Sequence, residues 1–181
     1  MSKRKSPRTS PRTSPRTPIV SAAHLAQPGA EGLSEFEYGL IVASGAFQRW
    51  TVRCMAAAGL AELSHLDVLV LHSVNHRDRE KRAADICFVL GIEDTHTVTY
   101  ALKKLVRLDL VERLRRGKES FFAASPSGRQ ACAKYAEVRE ACLLQALDVL
   151  GLESGAIEEA AGRLRALSGL YDQAARAAAS L

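Results

Sequence analysis

The chain has no run of about 18 or more uncharged apolar residues, so nothing in it reads as a membrane-spanning helix. Its start, MSKRKSPRTS, is basic but has no apolar segment behind it, which argues against a secretory signal and for a cytoplasmic protein. Cysteine is sparse. Cys54, Cys87, Cys132 and Cys142 lie far apart with no CxxC pair, so they are expected as reduced, mostly buried thiols. Nothing beside them marks a lowered thiol pKa of the kind a redox sensor needs. Catalytic signatures are missing too: there is no GxSxG, no phosphate-binding glycine loop, no HExxH and no paired carboxylates beside a plausible pocket. The chain does not read as an enzyme, and no cofactor or metal is expected. Proline is nearly absent after residue 29, since five of the six precede it.

What is present divides unevenly. The formal charge of +5 comes from 25 basic and 20 acidic residues, but Lys3, Arg4, Lys5, Arg8, Arg12 and Arg16 sit in the first 30 positions with no acid among them. The remaining 151 residues therefore hold 19 basic against 20 acidic side chains. Any affinity of the folded part for nucleic acid must come from local segregation of charge. One segment has it. Residues 94–118 carry seven basic residues against Asp94, Asp109 and Glu112, whereas 31–80 and 137–181 are each net negative.

Residues 6–17 repeat SPRT three times, and proline at every fourth position forbids a helix, so residues 1–32 are expected as a disordered basic tail. The prolines also preclude the amphipathic helix of a transit peptide. Such a tail either solubilises the chain or acts as an arm attracted to DNA phosphates. Residues 33–181 are read as a single domain. Ser34 and Glu37 have the spacing of a capping box, with Leu33 and Tyr38 as a hydrophobic staple around it. Phe36, Leu40, Ala43, Phe47, Trp50, Cys54 and Ala57 then recur at alternating spacings of four and three, a long helix with a coiled-coil-like seam ending near Gly59. Ser64 with Asp67 starts a second helix to about Asn75, followed by a charged loop, His76–Lys81.

A short helix over Arg82–Leu90 closes on Gly91, and Asp94 caps the next, Thr95–Leu108; two helices joined through a glycine at this spacing are a helix-turn-helix. Val111-Glu-Arg-Leu114 alternates as a half-buried strand, Arg116-Gly117-Lys118 turns, and Phe121-Phe122-Ala123 returns. That hairpin makes a wing. Ser125-Pro126 opens a fifth helix expected to reach Leu150 and close on Gly151. A sixth carries Ile157, Ala160, Leu164, Leu167, Tyr171, Ala174 and Ala178. The expected fold is mainly α with a small β-hairpin wing. A winged helix-turn-helix module over 64–125 is flanked by helices at 33–60 and 126–181. The seams of the first and last helices are too long for the middle module to cover, so they imply a second copy and a homodimer.

Duplex DNA is read where an exposed helix reaches base edges and cations hold the backbone. On the fourth helix Val98, Ala101, Leu102, Leu105 and Leu108 form an inward stripe. Thr95, His96, Thr97, Thr99 and Tyr100 are the candidates for base edges, and Lys103, Lys104 and Arg107 those for phosphates. Arg113, Arg115, Arg116 and Lys118 lie in or beside the wing.

On these residues the chain resembles the MarR family of winged-helix regulators. The carriers are Leu63-Ser64 opening the second helix, HTVTYALKKL (96–105) where the family has STVTRLVDRL, LDLVER (108–113) for EKGLVER and SPSGR (125–129) for TPKGR. His96 and Tyr100 replace the family's serine and arginine, so base preference does not carry over; the short wing tip RRGKES lacks the family's Asp-x-Arg. The resemblance implies a bacterial repressor acting as a homodimer on a palindromic double-stranded DNA operator and tuned by a small-molecule effector or an oxidant. It also implies an effector pocket between the dimer helices and the DNA module, where Tyr38, Phe47 and Trp50 are candidates; the seam accounts for the same three as core.

Two other readings belong beside this one. His65, His72 and His76, spaced seven and four apart, share a face of the second helix, but no compact ligand set accompanies them. A winged helix is also reused as a dimeric protein-interaction module without specific DNA binding, and the basic segment argues against that use here.

Overall fold

The computed structural model describes residues 31–144, 146, 147 and 154–181. In chain order they build α1 (Glu31–Ala57), α2 (His65–Asn75), α3 (Ala83–Leu90), α4 (Thr95–Arg107), β1 (Val111–Arg116), β2 (Glu119–Ala124), α5 (Pro126–Arg139) and α6 (Ser154–Ala178). A 3-10 turn occupies His76–Asp78, and a π-helical turn, Glu140–Leu144, follows α5. The expected order of elements, mainly α with one hairpin, is the observed one. Among the described residues no helix is long and apolar enough to cross a membrane.

The tail expected over 1–32 lies outside the described residues as far as residue 30, while Glu31 and Gly32 are already helical. Ser34 does not mark the helix start as expected: helix already runs before it, and Ser34 is buried inside α1. The end of the fifth helix, expected at Leu150 and Gly151, also lies outside the described residues.

Compactness divides the chain after Phe47. In the first unit, α1 presents Leu33, Tyr38, Ile41, Val42 and Phe47 as exposed apolar side chains. The second unit, Gln48–Leu181, holds the core. Here Cys54 and Met55 of α1 join Val68, Val70, Leu71 and Val74 of α2, Ile86 of α3, Leu102 and Leu105 of α4, Val111 and Phe122 of the hairpin, and Cys132 and Tyr135 of α5. The core thus reaches past the 64–125 module to the second half of α1 and the start of α5.

Local signals place the elements. Gly59 at φ 103° takes the left-handed turn that ends α1, with Leu60 N–H reaching back to Met55 O. Ser64 Oγ accepts from Asp67 N–H while Asp67 Oδ2 accepts from Ser64 N–H at 2.8 Å, a complete capping box. Gly91 at φ 64° ends α3. The hairpin pairs Val111 with Ala124 through Arg116 with Glu119, and Gly117 at φ 61° supplies the turn between them. One pairing was not legible in the sequence: Lys81 and Phe122 exchange both backbone hydrogen bonds, so the segment before α3 makes a single antiparallel bridge to β2.

At the wing's base, Asp109 adopts a positive φ of 56°, Ser125 Oγ donates to its carbonyl at 2.6 Å, and Gly128 N–H donates back to Ser125 Oγ. The chain passes so close that a Cβ on Gly128 would stand 2.0 Å from Leu110 O. Gly128→Ala is therefore expected to cost about 3 kcal/mol by forcing backbone apart. The measurement is the urea midpoint at unchanged slope, and a wild-type midpoint would contradict the close approach.

Candidate nucleic-acid interface

α4 is two-faced by construction. Val98, Ala101, Leu102 and Leu105 are buried, and Asp94 Oδ1 accepts from His96 N–H at 2.8 Å to start the helix. Thr95, His96, Thr97, Tyr100, Lys103 and Arg107 are left exposed, Tyr100 by 72%. Thr99 is half-buried. The hydroxyls of Thr97 and Thr99 donate to Asp94 O and Thr95 O, which leaves their lone pairs and methyls for an incoming partner.

In the wing, Arg113 is held across the strands: Nε and Nη2 both donate to Ser120 Oγ, at 3.1 and 2.8 Å. The far edge of its guanidinium keeps its remaining N–H groups for another acceptor. Arg115 and Lys118 are exposed, and Lys103, Arg107, Arg115 and Lys118 have no carboxylate partner among the described residues. Helix and wing share a surface: Thr99, Lys103 and Val106 of α4 face Arg113, Ser120 and Phe122 across a cavity of about 350 Å³, with Ala83 also lining it.

Two of the cations expected to meet DNA are engaged within the protein. Lys104 is the first of them. Its ammonium lies 2.6 Å from Asp67 Oδ2 and 2.7 Å from Glu62 O, with its side chain 20% exposed, so it ties α4 to the start of α2. Sequence cannot separate Lys103 from Lys104, because neighbouring positions on one helix differ only by a turn of about 100°. Arg116 pairs with Glu80 at 2.8 Å and lies 5.3 Å over the Phe121 ring.

The three histidines do not gather. His65 is hydrogen-bonded to Thr51, His72 meets Tyr135 edge-on at 4.6 Å, and exposed His76 ends α2. Among the described residues no group of three or more metal-ligating side chains occurs. Cys54, Cys87 and Cys132 are buried and Cys142 is exposed; burial pushes the Cys132 thiol up to about 11. Of the expected pocket residues, Tyr38 and Phe47 are exposed on α1, and Trp50 packs against the core of the second unit.

Residues 63–128 match the family model of the winged helix DNA-binding domain. Staphylococcus aureus MarR, in complex with salicylate and kanamycin, superposes with a TM-score of 0.63 at 14% identity, covering 85% of this chain and 99% of that one. A MarR family transcriptional regulator from Rhodococcus sp. RHA1 gives 0.59 at 14%, with 74% and 91% covered. The transcriptional regulator BldR from Sulfolobus solfataricus gives 0.56 at 21%, with 79% and 99%. The fold is that of a MarR-type winged helix. By sequence, no curated protein matches the chain. In this MarR-type frame, α3 and α4 are the helix-turn-helix and β1–β2 the wing.

Two outcomes follow from the buried polar groups. Lys104→Ala leaves the Asp67 carboxylate buried without its cation and is expected to cost about 3 kcal/mol, while Lys103→Ala stays within about 0.5 kcal/mol. Denaturant titration of the two variants reads the difference; equal costs would contradict the pairing. Burial, and secondarily Arg139, lowers the His72 pKa below 6.5, and its Nε2 is buried with no hydrogen-bond partner among the described residues. The unfolded chain then takes up the proton first, so stability is full above pH 6.5 and falls as acid drives the pH through the folded value. Between pH 7 and 5, His72→Phe is expected to lose less thermal stability than wild type; parallel curves would contradict a buried neutral imidazole.

Proposed function

We propose that this chain is a transcription regulator that binds double-stranded DNA as a homodimer, a ligand- or stress-responsive repressor by its likeness to MarR-type proteins, and not an enzyme. The observation that carries the reading is the shared surface of α4 and the wing, where Lys103 and Arg113 flank one groove in an otherwise acidic body. Thr95, His96, Thr97, Thr99 and Tyr100 are assigned to base edges, and Lys103, Arg107, Arg113, Arg115 and Lys118 to phosphates. Arg116 reaches DNA only by leaving Glu80, and Lys104 serves the fold instead.

The dimer is supported by apolar side chains that one copy leaves uncovered: Leu33, Ile41, Val42 and Phe47 on α1, and Ile157, Leu164 and Leu170 on α6. Two-fold symmetry would set the α4 helices at successive major grooves, about 34 Å apart, and select a palindromic operator. S. aureus MarR was solved with salicylate and kanamycin, and a small effector here would act by altering that separation. Tyr38, Phe47 and Trp50 remain its proposed contacts.

The test is the salt dependence of binding to a mixed-sequence duplex, followed by selection of bound fragments from the source genome. Lys103→Ala with Arg107→Ala is expected to reduce the slope of log K against log salt by about 1.8, at about 0.9 per phosphate. Absent or salt-insensitive binding would transfer support to a protein-interaction module.

A further inference from the structure

Lys81 is almost the least expected residue in the core. It is 7% exposed, and no carboxylate pairs with it among the described residues. Its ammonium instead donates to three main-chain carbonyls, those of Val74 at 3.0 Å, His76 at 2.5 Å and Arg79 at 3.4 Å. Val74 and His76 belong to the last turn and cap of α2, where unsatisfied carbonyls carry the negative end of the helix dipole and suit a cation. The turn that brings those carbonyls together includes Arg77 at φ 62°, a conformation costly for that residue type, and Asp78 at φ 42°, where aspartate is better tolerated.

The same residue is joined to the wing by its backbone. Lys81 N–H donates to Phe122 O at 2.9 Å and Phe122 N–H to Lys81 O at 2.8 Å. Its two neighbours grip the hairpin from outside. Glu80 pairs with Arg116, and Arg82 with Glu119 at 3.4 Å. Arg116 and Glu119 are the register pair that flanks the Gly117-Lys118 turn. Three consecutive residues therefore bind the wing at its middle and near its tip, and the central side chain anchors them to α2.

We propose that Lys81 is the positioning residue of the wing: by tying the end of α2 to β2 it fixes the orientation in which Arg115 and Lys118 meet the DNA backbone. The proposal rests on the DNA-binding reading above. Lys81 itself touches no DNA.

The experiment compares wild type with Lys81→Met, the isosteric neutral variant, on a mixed-sequence duplex at a temperature where circular dichroism shows both folded. Lys81→Met is expected to bind about tenfold more weakly, with the salt slope lower by about two wing contacts. In an Arg115→Gln, Lys118→Gln background, Lys81→Met is expected to add no further loss, because the contacts it positions are gone. A lowered melting temperature with wild-type affinity and slope would make Lys81 a purely structural residue and overturn the proposal. So would an undiminished loss in the neutralised background. Lys81→Arg keeps the cation but sets a flat fork where three carbonyls converge, and carries the same comparison if Lys81→Met does not fold. Wild-type protein that ignores DNA would refute the functional reading itself, before any variant is made.

Discussion

One helix, α4, is gripped firmly from one side and left bare on the other, and the core of the second unit is built around that constraint. Val98, Ala101, Leu102 and Leu105 supply the grip, each larger side chain contributing ~1.5–3 kcal/mol by leaving water. A polar tie adds direction to this apolar seat. Asp67 accepts from both the N–H and Oγ of Ser64 and receives Lys104 as well, so the carboxylate that starts α2 also sets where α4 lies against it. Removing either member would leave the other uncompensated in a low-dielectric site.

The wing is constrained in the same spirit, at its base and along its edge. Ser125 and Gly128 close the corner at Asp109–Leu110, where the chain approaches too near for any side chain. Farther out, the bridge of Lys81 to Phe122 and the pairs Glu80–Arg116 and Arg82–Glu119 hold the hairpin to the segment before α3. Helix and wing thus present Lys103 and Arg113 across one groove as a single surface.

Signals carried by neighbouring residues were legible. Ser64 with Asp67, Gly91, Asp94, Gly117 and Ser125-Pro126 each act within a few positions of themselves, and the elements they bound occur where the pattern put them. Ser34 shows the limit of such signals. Its spacing to Glu37 is that of a cap, but helix already precedes it, and a capping box has meaning only at an end. Lys81 and Lys104 show another limit. Both are lysines in charged surroundings, and what decides their roles are carbonyls and a carboxylate contributed by other segments. Phe88 and Val89 make the converse case, since they are 88% and 70% exposed although they stand in the apolar run Ile86–Leu90.

By itself, the sequence determined the order and type of the elements, the inward stripe of α4, and the concentration of positive charge between Asp94 and Lys118, because periodicity, caps and composition are local properties. Only the tertiary structure decided which of those cations remain open to a partner and which are spent inside the protein. That choice depends on which oxygen atoms the packed chain brings within hydrogen-bond distance, and for Lys104 and Arg116 those oxygens come from 36 or more residues away.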